Sequence, residues 1–574
     1  MAVSTFSFDD FKNLFGKDIS FEDLKELSFD YGIEVEGDLS EEGEFSVDVT
    51  PERPDLYCVE GFARSLRGFN SLETGLKSYV APVSGVELIV DPKTADIRPF
   101  IGAAVVRNVT VDDHLLRSII RFQEKLHLTL GRKRHKVAIG VYDFDKVTPP
   151  IHYRAVVPSE ESFVPLEFDT KLTLDRILTE HPMGSEYAHL LEGFDLFPLL
   201  VDSLGEVLSF PPIINSNYSG KVTPDTKNLF IEVTGTHRPT LIKTVNMLTT
   251  ALADRDTIIE SVDIKHTGDL ESMSYESPVF TPSKISLNLS LINDYLGVSL
   301  DPGQVTSFLE RMRYGVTSTK EKQDIRFDLQ IPCYRVDVLD PCDVVEDIAI
   351  AFGYGNFEFQ APRTFSMGKG HPREEFSSYV RDACVEMGLV EVMTFVLSNT
   401  QDQYHRMKEQ MGLDYVSLLN SKSAGHEITR VKLVPELLKF LRYNKVKATP
   451  ISIFEVDDCI LVDKDSANQT RDIRKFAFAE MGANTEFSRA RSLVSGFFDS
   501  LNLDYCVRPG TAPHYFEGRS GEVYIGENKD VFVGSFGEVH PSVLTNFDLE
   551  LPAVVGEFNL DVVEQYVKSP FESK

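Results

Sequence analysis

The sequence predicts an α+β protein made of several domains. Its 574 residues exceed what a single domain usually holds, and 42% of them are hydrophobic, which is enough for several buried cores. Strand-like runs such as 102–109 and 136–141 mix along the chain with helical patterns such as 111–130 and 239–254. At roughly 100–200 residues per domain, we expect about three to five domains.

The first 85 residues predict a small α+β domain. Apolar residues at helical spacing indicate one short helix that ends at Gly16 and a second that ends at Gly32. Strand-like runs at 32–37 and 44–49 follow, and 50–69 indicate a proline-broken turn that enters a helix.

Three further α+β domains are expected at 86–275, 276–360 and 361–574. The polar stretch Ser272–Ser277, with prolines close by, predicts a linker between the first two of these. The last domain should begin with a helix at about 374–387.

The composition limits the possible partners. Asp and Glu outnumber Lys and Arg by 89 to 58, which gives a net charge of −31. An acidic surface repels a polyanion, so binding of nucleic acid needs a local basic surface or a second, more basic chain. The six cysteines are scattered without a CxxC pair, and no secretory signal or long apolar run is present, so we expect reduced thiols and a cytoplasmic protein without membrane spans.

A basic run, Arg132–Lys136, stands out in this acidic chain. It is either a solvated loop between a helix and a strand or a contact to RNA phosphate or to an acidic partner surface. The sequence leaves both interpretations open.

A cluster of carboxylates surrounds a predicted helix. Asp340 is a good N-cap, Pro341 suits the first helical position, and Gly353 suits the end of the helix. Acids at i, i+3 and i+4 then share one face, either as a solvated face that complements the helix dipole or as a site where Mg²⁺ or basic groups of another chain relieve the repulsion. The cluster comprises Asp337, Asp343, Glu346 and Asp347.

Two short patterns repeat within the chain. Arg53-x-Asp55 precedes an apolar helix start, and Arg335-x-Asp337 does the same. The repeat indicates either a duplication or a coincidence.

Several motifs together resemble one family. The segments VDVTPERPDLYCVEGFARSLRGF, GRKRHKVAIGVYDFDKV, SFPPIINS, LFIEVTGT, HYFEGRSGEVYIG and GSFGEVHPSVLTNFDL occur in the order found in phenylalanyl-tRNA synthetase β subunits of the archaeal and eukaryotic kind. The acidic cluster is similar to the magnesium-associated motif of these subunits. Several independent motifs in order are more specific than any one alone.

The resemblance implies that 86–275 is an editing domain of mixed α/β structure that hydrolyses mischarged Tyr-tRNA(Phe). By itself, the strand containing Glu232 and Thr234 would be an exposed polar face, on which these two side chains lie together. The resemblance instead implies that Glu232 and Thr234 recognise the tyrosine hydroxyl or position water, that Ser209 and Asn215 are polar lining, and that Leu200 is an apolar wall. Such a site is useful because a hydrophobic phenylalanine pocket excludes an added hydroxyl only about 10²-fold.

The resemblance also implies that 276–360 is a winged-helix-like domain whose four acids hold Mg²⁺ shared with an α subunit. The last domain should be a class II synthetase-like antiparallel-sheet domain without catalytic motifs. Asp457 and Asp458 would repel phosphate there, and 556–560 lacks the GxGxxR pattern of an ATP site.

The implied assembly is an (αβ)₂ heterotetramer that binds tRNA(Phe) and uses ATP as a substrate at a site on the α subunit. Two alternatives remain open. One is a free-standing aminoacyl-tRNA hydrolase, and the other is an assembly and tRNA-binding scaffold without editing activity.

Overall fold

The structure is a computed structural model that describes residues 2–321, 324–362, 365–412 and 415–567. The chain forms two compact units, Met1–Ala361 and Pro362–Lys574. Within the described ranges, no helix is both long enough and apolar enough to cross a membrane.

The N-terminal segment is a small antiparallel sheet covered by helices. The serine hydroxyls of Ser7 and Ser20 cap its first two helices, and Gly16 ends the first with a φ of 74°. Both predicted helices are confirmed, whereas the strand before them was not predicted. The elements are β1 (Ala2–Ser7), α1 (Phe8–Phe15), α2 (Phe21–Asp30), β2 (Glu34–Glu36), β3 (Glu44–Val49) and α3 (Val59–Phe69), with the sheet order β1-β3-β2.

A large mixed sheet follows, and α7 packs on its strands β5 and β13. Its order is β12-β11-β10-β7-β4-β14-β5-β13-β6, with β15 added on β14; the pairs β14–β4 and β4–β7 are parallel. The elements are β4 (Val83–Val90), β5 (Phe100–Arg107), α4 (Asp113–Leu128), β6 (Val137–Asp143), β7 (Ile151–Val156), β8 (Ser162–Phe163), β9 (Leu172–Thr173), α5 (Leu174–Glu180), α6 (Pro182–Tyr187), β10 (Phe197–Val201), β11 (Val207–Phe210), β12 (Ile214–Asn215), β13 (Leu229–Gly235), α7 (Arg238–Ala253), β14 (Ile258–His266) and β15 (Tyr275–Ser277).

The predicted linker at 272–277 is wrong, because its second half is the strand β15, paired with β14. Two polar side chains of this stretch, those of Tyr275 and Ser277, bond into the sheet. The Tyr275 hydroxyl donates to the carbonyl of Ile101, and Ser277 Oγ accepts from the backbone N–H of Ala103. Polar composition alone therefore concealed a strand.

The next segment repeats the architecture of the first. It consists of β16 (Ser283–Asn288), α8 (Leu289–Leu296), α9 (Pro302–Arg311), β17 (Gly315–Glu321), β18 (Asp324–Ile331) and α10 (Pro341–Phe352), with the sheet order β16-β18-β17. Both segments run strand, helix, helix, strand, strand, helix, and both place the third strand in the middle.

The repeated Arg-x-Asp motifs occupy matching places before α3 and α10. Arg53 donates two hydrogen bonds to the Asp55 carboxylate, and Arg335 does the same to Asp337. Each guanidinium lies 5.7 Å from the ring centre of a tyrosine that follows the second helix, Tyr31 or Tyr314. The structure therefore supports a duplication over a coincidence.

The second unit is built on a sheet that is antiparallel except where β19 joins β22. Phenylalanines from its central strands and from α13 form the core, including Phe476, Phe497 and Phe558. The sheet order is β19-β22-β23-β27-β26-β25-β24. The elements are α11 (Pro372–Glu386), β19 (Val390–Glu391), β20 (Leu397–Ser398), β21 (Ile428–Thr429), α12 (Val434–Asn444), β22 (Ile451–Val462), β23 (Thr470–Met481), α13 (Phe487–Ser500), β24 (Cys506–Pro509), β25 (Tyr515–Ile525), β26 (Val531–Val539), α14 (Pro541–Asn546), β27 (Ala553–Asn559) and α15 (Leu560–Glu564).

Candidate functional site

A cavity of about 450 Å³ lies between α4 and strands from the two ends of the large sheet. Its walls come from α4, β6 and the segment 209–215, and Glu232 of β13 contributes a carboxylate. This volume falls in the range of small-molecule sites, which enclose roughly 300–1,000 Å³.

Glu232 lies on β13, the second strand from one edge of the sheet, between β5 and β6. It pairs with Ala103 of β5 on one side and with Gly140 of β6 on the other, and only 2% of the residue is exposed. A Cβ atom at Gly140 would lie 2.7 Å from Glu232 Oε1 and 2.0 Å from the Tyr142 hydroxyl. Glycine at 140 therefore makes room for the side chains of Glu232 and Tyr142.

The carboxylate of Glu232 is only half satisfied. The Tyr142 hydroxyl donates to Glu232 Oε1 at 2.9 Å, while among the described residues Glu232 Oε2 has no hydrogen-bond partner. Burial raises the pKa of Glu232 to about 7, against the opposing effects of the Tyr142 hydrogen bond and the Arg98 charge. A buried, unpaired carboxylate oxygen is costly, so the site favours a ligand that donates a hydrogen bond.

Ser209 and Asn215 lie beside this carboxylate. They pair with each other across β11 and β12, and both line the cavity. Ser209 Oγ is buried and has no hydrogen-bond partner of acceptable distance and angle in the described part of the chain. Burial raises the pKa of Tyr142, and the nearby Ser209 hydroxyl partly offsets this increase. Asn215 Oδ1 lies 3.5 Å from the Tyr142 hydroxyl. The structure thus brings three of the five predicted editing-site residues together.

The other two predicted residues do not line the cavity. Leu200 pairs with Ser209 in the sheet, but its side chain is fully buried among apolar core residues and does not reach the cavity lining. Thr234 Oγ1 accepts from Arg98 Nε at 2.9 Å, and its carbonyl accepts from Arg98 Nη2 at 2.8 Å. The expectation of one pocket lined by all five is corrected for these two, because Leu200 is packed into the apolar core and Arg98 occupies the hydroxyl and carbonyl of Thr234.

The sequence did not identify Tyr142 and Arg98 as parts of the site. Tyr142 lies in an apolar strand where it is indistinguishable from a core residue, and its role depends on the pairing of β6 with β13. Arg98 is 3% exposed, and burial lowers its pKa to about 10. Only the three-dimensional structure places its charge near Glu232.

The basic run forms a tight turn at the edge of the cavity. Three consecutive residues, Arg132, Lys133 and Arg134, have φ values of 49°, 52° and 64°. This left-handed conformation costs L residues about 1–2 kcal/mol each. Arg134 is buried and donates to the carbonyl of Ile213 at 2.8 Å, whereas Arg132, Lys133 and His135 are exposed. The interpretation as a wholly solvated loop is therefore wrong for Arg134.

The helix α10 has the predicted cap at Asp340 and the predicted end at Gly353. Its acids do not share one solvated face, because Asp347 is buried whereas Glu346 is exposed. Asp343 Oδ2 accepts from the backbone N–H groups of Leu339 and Asp340, which completes a capping box. That part of the prediction is corrected.

Arg335 binds two of the four acids. It donates to Asp337 and, at 2.9 Å, to Asp347, which also accepts from the Tyr314 hydroxyl. The Arg335 charge and hydrogen bonds outweigh burial and lower the pKa of Asp337 to about 2. Partial burial and neighbouring acids raise the pKa of Glu346.

Carboxylate oxygens have the chemistry that Mg²⁺ prefers. However, Asp337, Asp343 and Asp347 are already engaged, and no group of three or more His, Cys, Asp or Glu side chains in the described ranges is arranged to hold a metal. These residues alone therefore do not fit a preformed magnesium site.

In the second unit, Asp457 and Asp458 are not bare charges. Asp457 accepts from Arg430 at 2.7 Å, and Asp458 accepts from Arg373 and Arg474, both at 2.9 Å. The expectation that these acids repel phosphate is corrected, because arginines neutralise them.

Three family models match the chain. They are described as the Phe-tRNA synthetase beta subunit B1 domain at residues 2–71, the tRNA synthetase B5 domain at 285–354, and the phenylalanyl tRNA synthetase beta chain CLM domain at 358–560. The first two cover the repeated segments, and the third covers most of the second unit.

Similar proteins extend over nearly the whole chain. The phenylalanine–tRNA ligase beta subunit of Methanocaldococcus jannaschii is 38% identical over 533 residues, which is 92% of this chain and 94% of the relative. The phenylalanine–tRNA ligase beta subunit of Thermococcus sibiricus is 36% identical over 554 residues, which is 96% of this chain and 97% of the relative. A crystal structure of an N-terminal fragment of the Pyrococcus horikoshii phenylalanyl-tRNA synthetase β subunit matches with a TM-score of 0.58 at 38% identity, covering 61% of this chain and 99% of the fragment.

The motif order, the repeated segments and these matches agree. The chain belongs to the family of phenylalanine–tRNA ligase β subunits.

Proposed function

We propose that the chain is a working β subunit of a phenylalanine–tRNA ligase and that its cavity hydrolyses mischarged Tyr-tRNA(Phe). In this proposal, an α subunit attaches phenylalanine to tRNA(Phe) with ATP, in an (αβ)₂ heterotetramer in the cytoplasm. The names of the similar proteins support the subunit assignment, and the geometry of the cavity supports the hydrolysis.

The observation that carries the editing proposal is the pair of unsatisfied groups, Glu232 Oε2 and Ser209 Oγ, at the wall of one cavity. A phenolic hydroxyl satisfies both, because it can donate to the carboxylate and accept from the serine. Phenylalanine has no such hydroxyl and leaves both groups buried and unpaired. A hydrogen bond to a charged group contributes about 1.5–3 kcal/mol, which corresponds to about 10–200-fold discrimination.

Selectivity and chemistry then have separate requirements. The apolar wall, which includes Phe210, Ile213 and Val141, suits an aromatic ring. The Glu232 carboxylate recognises the hydroxyl group on that ring. Hydrolysis adds water to the ester carbonyl, breaks its bond to the ribose oxygen and returns a proton to that oxygen. Tyr142 keeps one carboxylate oxygen occupied, so that the other remains free for the substrate.

The test is deacylation of preformed Tyr-tRNA(Phe) by the chain assembled with its α subunit. We expect Glu232→Ala to lower kcat/KM by about 10–200-fold, because the hydroxyl loses its charged partner. The matched control is Glu192→Gln, at an exposed position outside the cavity lining. Equal activity of wild type and Glu232→Ala would contradict the assigned role. No hydrolysis by wild type, with aminoacylation intact, would favour the scaffold alternative.

Magnesium remains part of the proposal only for the assembled enzyme. Glu346 is the exposed member of the acidic cluster, and we propose that groups of the α subunit complete a site around it. Thermal melting of the assembly with increasing Mg²⁺ tests this, because Glu346→Gln should reduce the stabilisation by the ion. Identical Mg²⁺ responses would exclude Glu346.

A further inference from the structure

We propose that the left-handed turn at 131–136 contacts the phosphates of the RNA that delivers the ester to the cavity. This inference rests on the proposed editing function and extends it to a specific surface. The occupant is the single-stranded acceptor end of a tRNA.

The turn is rigid rather than a flexible basic loop. The N–H of Arg134 donates to the carbonyl of His127, and the N–H of Lys136 donates to the carbonyl of Gly131. The guanidinium of Arg134 is fixed by the carbonyl of Ile213 and by Glu124, and it stacks 4.3 Å from the ring centre of Tyr187. Residues held in a conformation that L side chains rarely adopt cluster at functional sites.

The buried side chain of Arg134 connects the turn to the wall of the cavity. Arg134 lines the cavity and contacts the backbone of the 212–213 segment, which forms part of its wall. The two residues before it therefore emerge at the rim. Their side chains, those of Arg132 and Lys133, are exposed and make no ion pair or hydrogen bond with described residues. Lys221, another exposed and similarly unpaired cation, lines the same cavity.

Because the chain as a whole is acidic, these exposed cations indicate where RNA can approach it. The chain carries a net charge of −31, so RNA needs a local basic surface in order to approach. An ester linked to the last ribose of a tRNA can enter the cavity only if the preceding phosphates lie at its mouth. Unpaired cations beside that mouth supply the complementary charge.

A simpler explanation is that cations near the end of α4 complement its dipole. That explanation predicts a change in stability and none in the salt dependence of catalysis. The two explanations therefore separate in one experiment.

The experiment uses the chain assembled with its α subunit and compares Arg132→Glu/Lys133→Glu with Lys17→Glu/Lys464→Glu. Both pairs reverse two exposed cations and change the net charge equally. The readout is kcat/KM for Tyr-tRNA(Phe) hydrolysis across a range of salt concentrations, with thermal melting to verify folding. Two lost contacts to single-stranded phosphate should reduce the slope of log kcat/KM against log salt by about 1.4 and lower kcat/KM on the order of tenfold at 0.1 M salt.

Equal salt slopes for the two double variants would overturn the proposal. Loss of assembly with the α subunit in the Arg132→Glu/Lys133→Glu variant alone would also overturn it, in favour of a protein interface. If wild type shows no hydrolysis, the editing function fails, and a second readout decides the inference. A photo-crosslinking amino acid in place of His135 should then label the 3′ end of bound tRNA, and its failure to do so would refute the contact.

Discussion

The raised pKa of Glu232 predicts a specific dependence of stability on pH. Burial raises this pKa from an ordinary 4.5 to about 7, a difference that corresponds to about 3 kcal/mol. The folded protein binds this proton more tightly than the unfolded chain does. The stabilisation is therefore complete below pH 4.5 and is lost as the pH rises through 7.

Glu232→Gln removes this titration while keeping a similar shape. The variant should gain most of about 3 kcal/mol relative to wild type between pH 5 and pH 8. Any constant cost of the amide, such as an altered hydrogen bond from Tyr142, cancels in the comparison of the two pH values. Other groups near the cavity titrate in both proteins and cancel to first order.

The assay is denaturant unfolding of the fragment 1–361 at both pH values. This unit is compact and contains a buried hydrophobic core of its own. Glu192→Gln, at an exposed position, is the control and should show no comparable pH-dependent gain. The reasoning is refuted if Glu232→Gln and Glu192→Gln change equally between pH 5 and pH 8.

Two further predictions concern the hydrogen bond from Tyr142 to Glu232 and the ion pair between Arg335 and Asp347. Tyr142→Phe removes the donor to Glu232 Oε1, so it should raise the Glu232 pKa further and lower Tyr-tRNA(Phe) hydrolysis about tenfold; unchanged kinetics would show that this bond does not orient the carboxylate. Arg335→Met leaves the buried Asp347 without its cation and should destabilise the fragment 1–361 by about 3–5 kcal/mol in denaturant unfolding. As a control, Arg326→Met breaks the ion pair with Asp328, whose side chains are 43% and 48% exposed, and should lower the free energy of unfolding by less than about 1 kcal/mol. Equal losses of stability in Arg335→Met and Arg326→Met would show that burial does not determine the effect.

Local sequence signals predicted the helices well. The serine cap at Ser20, the glycine at 16 and the Asp340 to Gly353 pattern all act within a few residues, so the chain itself reveals them. The repeated Arg-x-Asp motif was visible for the same reason. The matching sheet order of the two segments was not visible, because it depends on pairing between distant strands.

The candidate site was only partly predictable. Ser209 and Asn215 lie on strands at one end of the strand order and Glu232 lies near the other end, so they meet only because the two ends of the sheet approach each other around one cavity. The resemblance to a known family identified these residues before their proximity was seen. Thr234 lies on the expected face, but the distant Arg98 occupies its hydroxyl. The side chain that binds a polar group depends on long-range packing, which strand periodicity does not encode.

The acidic helix shows the same limit. Spacing predicted one shared face for its carboxylates, whereas Arg335, Tyr314 and the backbone at 339–340 bind Asp347 and Asp343 separately. Like-charge repulsion was therefore relieved from within the chain, by groups that the sequence did not connect with the helix.

The most direct test of the central claim is the ratio of kcat/KM for Tyr-tRNA(Phe) and Phe-tRNA(Phe) hydrolysis by the assembled wild-type enzyme. Satisfaction of Glu232 and Ser209 by one hydroxyl predicts a preference for the tyrosyl ester of at least about tenfold. Hydrolysis of both esters at the same rate, or of neither, would contradict a cavity that reads the tyrosine hydroxyl.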